Sequence, residues 1–334
     1  MIEVVNNLSI LDVLSKAVEL NASDIHISPG KPIIFRIDGD LTKVSKYIVT
    51  PSDTQAFAEE YLNKNVRDKL FTRHSYDISI QTPETRARIH LHETIDGICM
   101  SIRLVPIEPQ SMEELRIPTI LKEWMLKKGI IIISGLTNTG KTTTLASMVK
   151  YINETKSYKI VILEDPVEYI HQDKLSSIYQ REVGTHSPSY QDALNDVARE
   201  DADIVVVGEV RRVNAMDAVF TMAEAGLSVY TSVHANSTVE TIERIVNMFP
   251  PTDYERIYNR LSWTLVGIIN QRLFKKRGGG RILVCEILAN NEAVRNMIRS
   301  GKIQGIKNFF DTTHTGEIVS YEKYIEGLKI SGLL

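Results

Sequence analysis

Residues 130–143 read IIIISGLTNTGKTT, and this stretch decides the fold of the chain. Its segment from Gly135 to Thr142 fits the phosphate-loop pattern G-x-x-x-x-G-K-[ST]. An apolar run, 130–133, precedes the loop, and a helix-forming stretch, 143–152, follows it. The pattern alone also occurs by chance, but a strand before it and a helix after it are the context that phosphate binding requires. The sequence therefore predicts a nucleoside triphosphate site on an α/β fold.

The chemistry of the loop follows from its residue types. Backbone N–H groups in a glycine-containing turn can surround phosphate oxygens, and the helix that follows directs its positive end at the same anion. Lys141 is expected to reach the β- and γ-phosphates, and Thr142 is expected to hold Mg²⁺. The predicted nucleotide-binding residues are Gly135, Leu136, Thr137, Asn138, Thr139, Gly140, Lys141, Thr142 and Thr143.

Composition limits the function classes. The 334 residues favour about two domains, and a net charge of −3 gives no basic field for nucleic acid. Cys99 and Cys285 form no CxxC pair, so the sequence offers no zinc site, and two buried thiols in a reducing cytoplasm are expected. The first twenty residues lack the basic start of a signal peptide, and no apolar run reaches the ~20 residues of a membrane span.

The chain divides by its patterns. Residues 1–105 predict a small α+β domain and residues 106–118 a proline-punctuated linker. Residues 119–290 predict an α/β domain that contains the phosphate loop, and residues 291–334 predict a helical region. In the third segment, apolar runs alternate with helical stretches, which indicates a mostly parallel sheet covered on both faces. The predicted strands of this sheet are Ile130–Ile133, Ile160–Leu163, Ile204–Val207, Val229–Val233 and Ile282–Leu288.

The first domain carries its own local signals. Residues 8–20 have helical apolar spacing, and a second helix is expected to open near Thr50. The pair Asp38-Gly39 predicts a tight turn, and Asp96-Gly97 predicts the turn of a later hairpin.

Acidic residues and a histidine follow three of the predicted strands. Glu168 ends the segment EDPVE after one strand, Glu209 follows another, and His234 follows a third. Carboxyl ends of strands are where open α/β sheets place their chemistry, so these side chains are candidates for activating water, placing Mg²⁺ and contacting the γ-phosphate. The alternatives are a solvated loop charge for Glu168 and a purely structural role for His234. Glu209 in place of the usual aspartate would act on Mg²⁺ through water.

Arginines can stabilise charge on a transferring phosphoryl group, often across a subunit boundary. Arg88 and Arg103 lie on predicted strands of the first domain, and each has the alternative of a surface or salt-bridge role. Further candidates in the chain are Arg86, Arg199, Arg211 and Arg212.

Four blocks occur in one order: the phosphate loop, ILEDPVEY (162–169), DADIVVVGE (201–209) and TSVHA (231–235). In these blocks the chain resembles the secretion ATPases of type II and type IV systems and, more narrowly, PilT-type pilus retraction ATPases. The resemblance implies an N-terminal PAS-like domain, a RecA-like P-loop ATPase core, ATP and Mg²⁺ as ligands, and a homohexamer with nucleotide at subunit junctions. It assigns general-base catalysis to Glu168, a position near Mg²⁺ to Glu209 and the family's histidine motif to His234. It also implies that Arg88 and Arg103 reach nucleotide.

The resemblance also bears on whether the motor would retract or assemble a pilus. Residues 293–300, AVRNMIRS, are similar to the AIRNLIRE-like helix of retraction ATPases, from which they depart at Val294, Met297 and Ser300. Assembly ATPases of the superfamily usually carry a tetracysteine zinc element, and two cysteines cannot form one. The resemblance thus implies a cytoplasmic motor at the inner-membrane face that works with a pilus platform protein and not on nucleic acid. A type IVB secretion or conjugation motor and a pilus assembly ATPase remain alternatives, as do a nucleic-acid motor and a non-hydrolysing scaffold.

Overall fold

The computed structural model describes residues 9–62, 67, 70, 72–312 and 316–334. The chain divides into two units between Glu108 and Pro109. The predicted linker, 106–118, is split by this division. Its second part belongs to the second unit, where Met112 and Ile117 are buried in an apolar cluster.

Antiparallel strands form the sheet of the first unit, in the order β3-β2-β1-β6-β5-β4 within the described residues. Helix α1 buries the apolar face predicted from its spacing, and α2 begins with a capping box in which Thr50 and Asp53 bond each other's backbone N–H. The elements are α1 (Ile10–Glu19), β1 (Ala22–Ile27), β2 (Pro32–Ile37), β3 (Asp40–Ile48), α2 (Pro51–Tyr61), β4 (Ser75–Gln81), β5 (Thr85–Thr94) and β6 (Gly97–Pro106).

One of the two turn predictions in this unit needs a correction. Asp38 and Gly39 do form the turn between β2 and β3, and both have positive φ, 51° and 95°. The β5–β6 turn lies one residue earlier than predicted, at 95–96, because Thr94 pairs with Gly97 in the ladder. Gly97, with φ of 120°, is the first residue of β6.

The second unit is an α/β fold on a mixed sheet, ordered β14-β13-β12-β7-β11-β10-β8-β9 in the described part of the chain. Strands β12 through β9 in that order run parallel, whereas β13 and β14 add antiparallel pairs at one edge. The strands are β7 (Gly129–Ser134), β8 (Lys159–Glu164), β9 (Ser177–Glu182), β10 (Ile204–Glu209), β11 (Ser228–Val233), β12 (Leu265–Lys275), β13 (Arg281–Ala289) and β14 (Ile318–Val319).

Helices cover both faces of this sheet. Ile130 and Ile132 of β7 belong to one buried cluster, while Ile131 and Ile133 belong to the other. Burial on both faces explains why the strand is a continuous apolar run. The helices are α3 (Ile120–Trp124), α4 (Lys141–Thr155), α5 (Tyr190–Val197), α6 (Val213–Glu224), α7 (Thr238–Val246), α8 (Tyr254–Thr264), α9 (Glu292–Arg299), α10 (Gln304–Thr312) and α11 (Tyr321–Ile330), with a 3-10 turn at Pro251–Asp253.

The region after residue 290 is tied to the sheet. It carries α9, α10 and α11, but β14 between the last two pairs with β13, which the helical pattern did not predict. The segment 293–300 lies in α9, where Val294 and Ile298 are fully buried. Among the described residues, no helix is both long and apolar enough to cross a membrane.

Candidate functional site

The phosphate-loop segment joins β7 to α4, as the sequence predicts. Gly135, Asn138 and Gly140 all have positive φ, at 153°, 64° and 86°. Asn138 thus takes the left-handed conformation that asparagine tolerates better than most residues. Gly140 is the N-cap of α4, and among the described residues no side chain caps this helix. The first N–H groups of α4 therefore remain directed at the loop, which is the arrangement that attracts an anion.

Lys141 is held inside the loop. Its Nζ donates to the carbonyl oxygens of Gly135 and Leu136, each at 2.9 Å. Burial lowers the pKa of the ammonium, the charges of Glu209 and Glu168 raise it, and the charge of Arg211 lowers it further. The lysine therefore interacts electrostatically with both predicted acids.

Glu209 ends β10, and its carboxylate accepts a 2.6 Å hydrogen bond from Arg211. Burial raises the pKa of this carboxyl, but the bond from Arg211 and the positive charges of Arg211, Lys141 and His234 outweigh it. The net effect is a pKa below the ordinary value, so Glu209 is an anion at neutral pH. Arg211 itself is 77% exposed at the side chain.

Glu168 lies in the loop after β8, and residues on both of its sides are bonded to β9. The backbone N–H of Val167 donates to Glu182 at 3.1 Å, and Gln180 donates to the carbonyl of Tyr169 at 2.7 Å. Tyr169, which is 6% exposed, also reaches the hydroxyl of Thr143 in α4 at 3.5 Å. The backbone around Glu168 is thereby fixed against the strand on one side and the phosphate-loop helix on the other.

His234 directly follows β11, and strand order explains why it joins the cluster. β11 pairs with β7 on one side and β10 on the other, so the carboxyl ends that carry Lys141, Glu209 and His234 are neighbours. β8, which leads to Glu168, pairs with the far side of β10. The structure thus gathers four predicted residues at one edge of the sheet.

Arg88 and Arg103 lie elsewhere, in the first unit. They pair directly across β5 and β6, with exposed side chains. Arg103 donates to Asp24 at 2.9 Å, and Arg88 lies 3.8 Å from Asp77. Both arginines therefore make ion pairs within the first unit, Arg88 with an exposed carboxylate and Arg103 with one that is 15% exposed.

Two buried polar residues near the site were missed from the sequence. Asn270 and Gln271 on β12 are fully buried, and Gln271 donates to Thr144 of α4 at 2.8 Å. Their position in the sequence could have identified them, because two consecutive polar side chains that follow the apolar start of a buried strand need hydrogen-bond partners in the protein interior.

A family model described as "Type II/IV secretion system protein" matches residues 3–279. The chain is 31% identical to "Type IV pilus retractation ATPase PilT" of Pseudomonas aeruginosa, over 98% of this chain and 96% of that protein. It is 33% identical to "Twitching motility protein" of Neisseria gonorrhoeae, over 98% of this chain and 88% of that protein.

Two solved structures are also similar to this chain. The pilus retraction motor PilT with bound ADP superposes with a TM-score of 0.87 at 37% identity, covering 98% of this chain and 95% of that one. The ATPase DotB of Legionella pneumophila superposes with a TM-score of 0.81 at 24% identity, covering 99% of this chain and 98% of that one, and shares the fold.

Proposed function

The chain belongs to the type II/IV secretion system protein family, and on this basis we propose that it is a motor ATPase that drives type IV pilus retraction. The relatives that it matches over nearly their full length carry the names of a retraction ATPase and a twitching motility protein. The observation that supports hydrolysis, and not binding alone, is the convergence of Lys141, Glu168, Glu209 and His234 beside the phosphate loop.

Each residue has a distinct part in the proposed reaction. The loop backbone and Lys141 bind and orient the phosphates, and the start of α4 adds its positive end. Glu168 is the general base that takes a proton from the attacking water, and its backbone is held on both sides by β9. His234 contacts the γ-phosphate as a hydrogen-bond donor.

The residues present also fit Mg²⁺. The Thr142 hydroxyl and the anionic Glu209 offer the hard oxygen atoms that Mg²⁺ prefers. In the described part of the chain, no group of three or more acidic, histidine or cysteine side chains is arranged so that it could hold a metal ion by itself. Waters and phosphate oxygens would therefore complete the shell, as is usual for Mg²⁺. Bound there, Mg²⁺ would neutralise charge on the phosphates.

The finer architecture is part of the same proposal. We assign a PAS-like fold to the first unit and a RecA-like core to the second. The working form is a homohexamer at the cytoplasmic face of the inner membrane, coupled to a pilus platform protein. Arg88 and Arg103 would reach nucleotide by leaving their present ion pairs. The pair of Arg88 with Asp77 costs little to break because both side chains are exposed, whereas Arg103 would leave Asp24, whose side chain is 15% exposed.

A direct test replaces the general base. In a ring-forming preparation, Glu168→Gln is expected to lower steady-state ATP turnover by about 10²–10⁴-fold while retaining nucleotide binding. Glu154→Gln is the matched control, because this exposed glutamate lies at the far end of α4 and makes a surface pair with Lys174. Undiminished turnover in the Glu168 variant would refute the mechanism.

An experiment in cells distinguishes pilus retraction from pilus assembly and from secretion. Because Lys141→Ala removes the phosphate contact, retraction predicts hyperpiliated cells that do not twitch. Cells without pili would indicate an assembly ATPase instead. Normal pili with lost effector or DNA transfer would indicate a type IVB secretion or conjugation motor.

A further inference from the structure

A buried polar network connects the phosphate loop to the last helix of the chain. At its centre is Asn270, whose Nδ2 donates to the Ser134 hydroxyl at 2.8 Å and to the Ala235 carbonyl at 3.0 Å. Ser134 directly precedes the phosphate loop, and Ala235 directly follows His234. A single amide on β12 therefore joins the two loops that carry the proposed phosphate-contacting groups.

The other side of this amide belongs to the C-terminal region. The Oδ1 of Asn270 accepts a hydrogen bond from the hydroxyl of Tyr321, the first residue of α11. Tyr321 is 5% exposed, and burial raises the pKa of its phenol, so the hydroxyl keeps its proton and donates. The network thus runs without a break from α11 to both loops.

A second connection runs in parallel with the first. The guanidinium of Arg272 stacks on the Tyr321 ring with its Cζ 4.0 Å from the centroid. The same guanidinium donates to the carbonyl of Asn236 at 3.1 Å, two residues after His234. Thr241 of α7 adds a 2.8 Å bond to Ser134. Several independent contacts therefore converge on the same two loops.

We propose that Asn270 and Tyr321 are positioning residues for ATP hydrolysis, through which the C-terminal helix sets the spacing between the phosphate loop and the His234 loop. This inference rests on the proposed function. β7 and β11 pair as far as Ser134 and Val233, and one further backbone bond joins the Gly135 N–H to the Val233 carbonyl at 3.3 Å. Beyond that bond, the side-chain contacts of Asn270 and Arg272 link the two loops. Small displacements of reacting groups cost large factors in rate, so this spacing matters to the chemical step.

Tyr321→Phe removes the hydroxyl that donates to Asn270 and that is also hydrogen-bonded to Arg272. The ring stays for Arg272 to stack on, and the buried Asn270 acceptor loses its donor. The matched control is Tyr324→Phe, because Tyr324 lies on the same helix but its hydroxyl is hydrogen-bonded to the thiol of Cys285 on β13. The two variants differ in which buried bond they break.

The expected result is a separation of kcat from KM. Tyr321→Phe lowers kcat for ATP by about tenfold with KM within about twofold of wild type, and Tyr324→Phe changes both by less than about twofold. Ser134→Ala removes an acceptor of the same network and is expected to lower kcat similarly, which provides a second variant if Tyr321→Phe does not fold. Equal losses in the two tyrosine variants, or none in either, would overturn the proposal.

A second measurement does not depend on turnover. Amide hydrogen exchange of residues 134–140 and 234–237 is expected to be faster in Tyr321→Phe than in Tyr324→Phe, because the loops lose a restraint. Equal exchange in both variants shows that the network does not hold the loops. Wild-type protein without ATP turnover would overturn the proposed function and with it the catalytic role, whereas unchanged kcat in Tyr321→Phe beside active wild type overturns this inference alone.

Discussion

Gly135→Ala is the most direct perturbation of the phosphate loop. A Cβ at Gly135 would lie 2.4 Å from Oγ1 of Thr139 and 2.7 Å from the backbone oxygen of Gln271. The threonine can rotate only by giving up its 2.9 Å bond to the Leu136 carbonyl. The Gln271 oxygen has little room to move away, because Gln271 pairs with Cys285 of β13 and the preceding residue, Asn270, pairs with Ser134 of β7. The new methyl group must therefore displace the loop itself.

The cost has two parts. The φ of 153° at Gly135 is a conformation that residues with a side chain rarely adopt, which costs about 1–3 kcal/mol. Overpacking against atoms that cannot yield adds about 1–3 kcal/mol. If the loop relaxes to avoid this strain, the geometry that binds phosphate is lost. A total of about 2–6 kcal/mol corresponds to at least about a 30-fold loss of nucleotide affinity.

The assay compares nucleotide affinity, by fluorescent ADP titration, with unfolding in urea. Gly226→Ala is the control: its φ is 89°, nothing lies within 4 Å of the added Cβ, and it sits at the opposite end of β11 from His234. We expect the control to cost about 1 kcal/mol of stability and to leave affinity unchanged. If Gly135→Ala bound ADP within about threefold of wild type, the steric reasoning would be refuted.

Two further predictions concern stability. Gly267→Ala places a Cβ 2.3–2.7 Å from three ring carbons of buried Trp124, so it should lower the free energy of unfolding in urea by about 1–3 kcal/mol. Gly327→Ala in α11 has open space around the added Cβ and should raise the free energy of unfolding by about 0.5–1 kcal/mol. Similar effects of the two changes would contradict the packing. Burial lowers the pKa of His171 from 6.5 to about 4. The buried neutral imidazole therefore contributes its full stabilisation above pH 6.5, the pKa in the unfolded chain, and this stabilisation is lost as the pH falls toward 4. Wild type should therefore lose about 2 kcal/mol more than His171→Gln between about pH 7 and about pH 5, and identical pH dependence would refute the assignment.

The sequence predicted elements best where a local pattern carries the information. β7 is a run of four isoleucines because both faces are buried, and the loop and helix after it follow from their residue types. β9 was missed as a strand because its exposure pattern is mostly partial, which is typical of an edge. β14 was missed because two residues form no detectable period.

The sequence predicts candidate site residues one by one, but it does not predict their arrangement. The positions of Glu168, Glu209 and His234 after apolar strands predict a role for each, and the structure brings all three close to the phosphate loop. Arg88 and Arg103 were also placed on strands, yet the structure shows them paired with acidic side chains. A strand pattern specifies which face a side chain occupies, but not which carboxylate lies beside it.

By itself, then, the sequence determined the strand–loop–helix of residues 130–152, because apolar length, glycine positions and helix propensity are local properties. Tertiary structure alone decided that β11 and β10 lie between β7 and β8, which sets the carboxyl ends side by side. Tertiary structure also brings Tyr321 into hydrogen-bond contact with Asn270, 51 residues away, and this contact links helix α11 to the phosphate loop. Such contacts depend on the order in which strands pair, and no local pattern encodes that order.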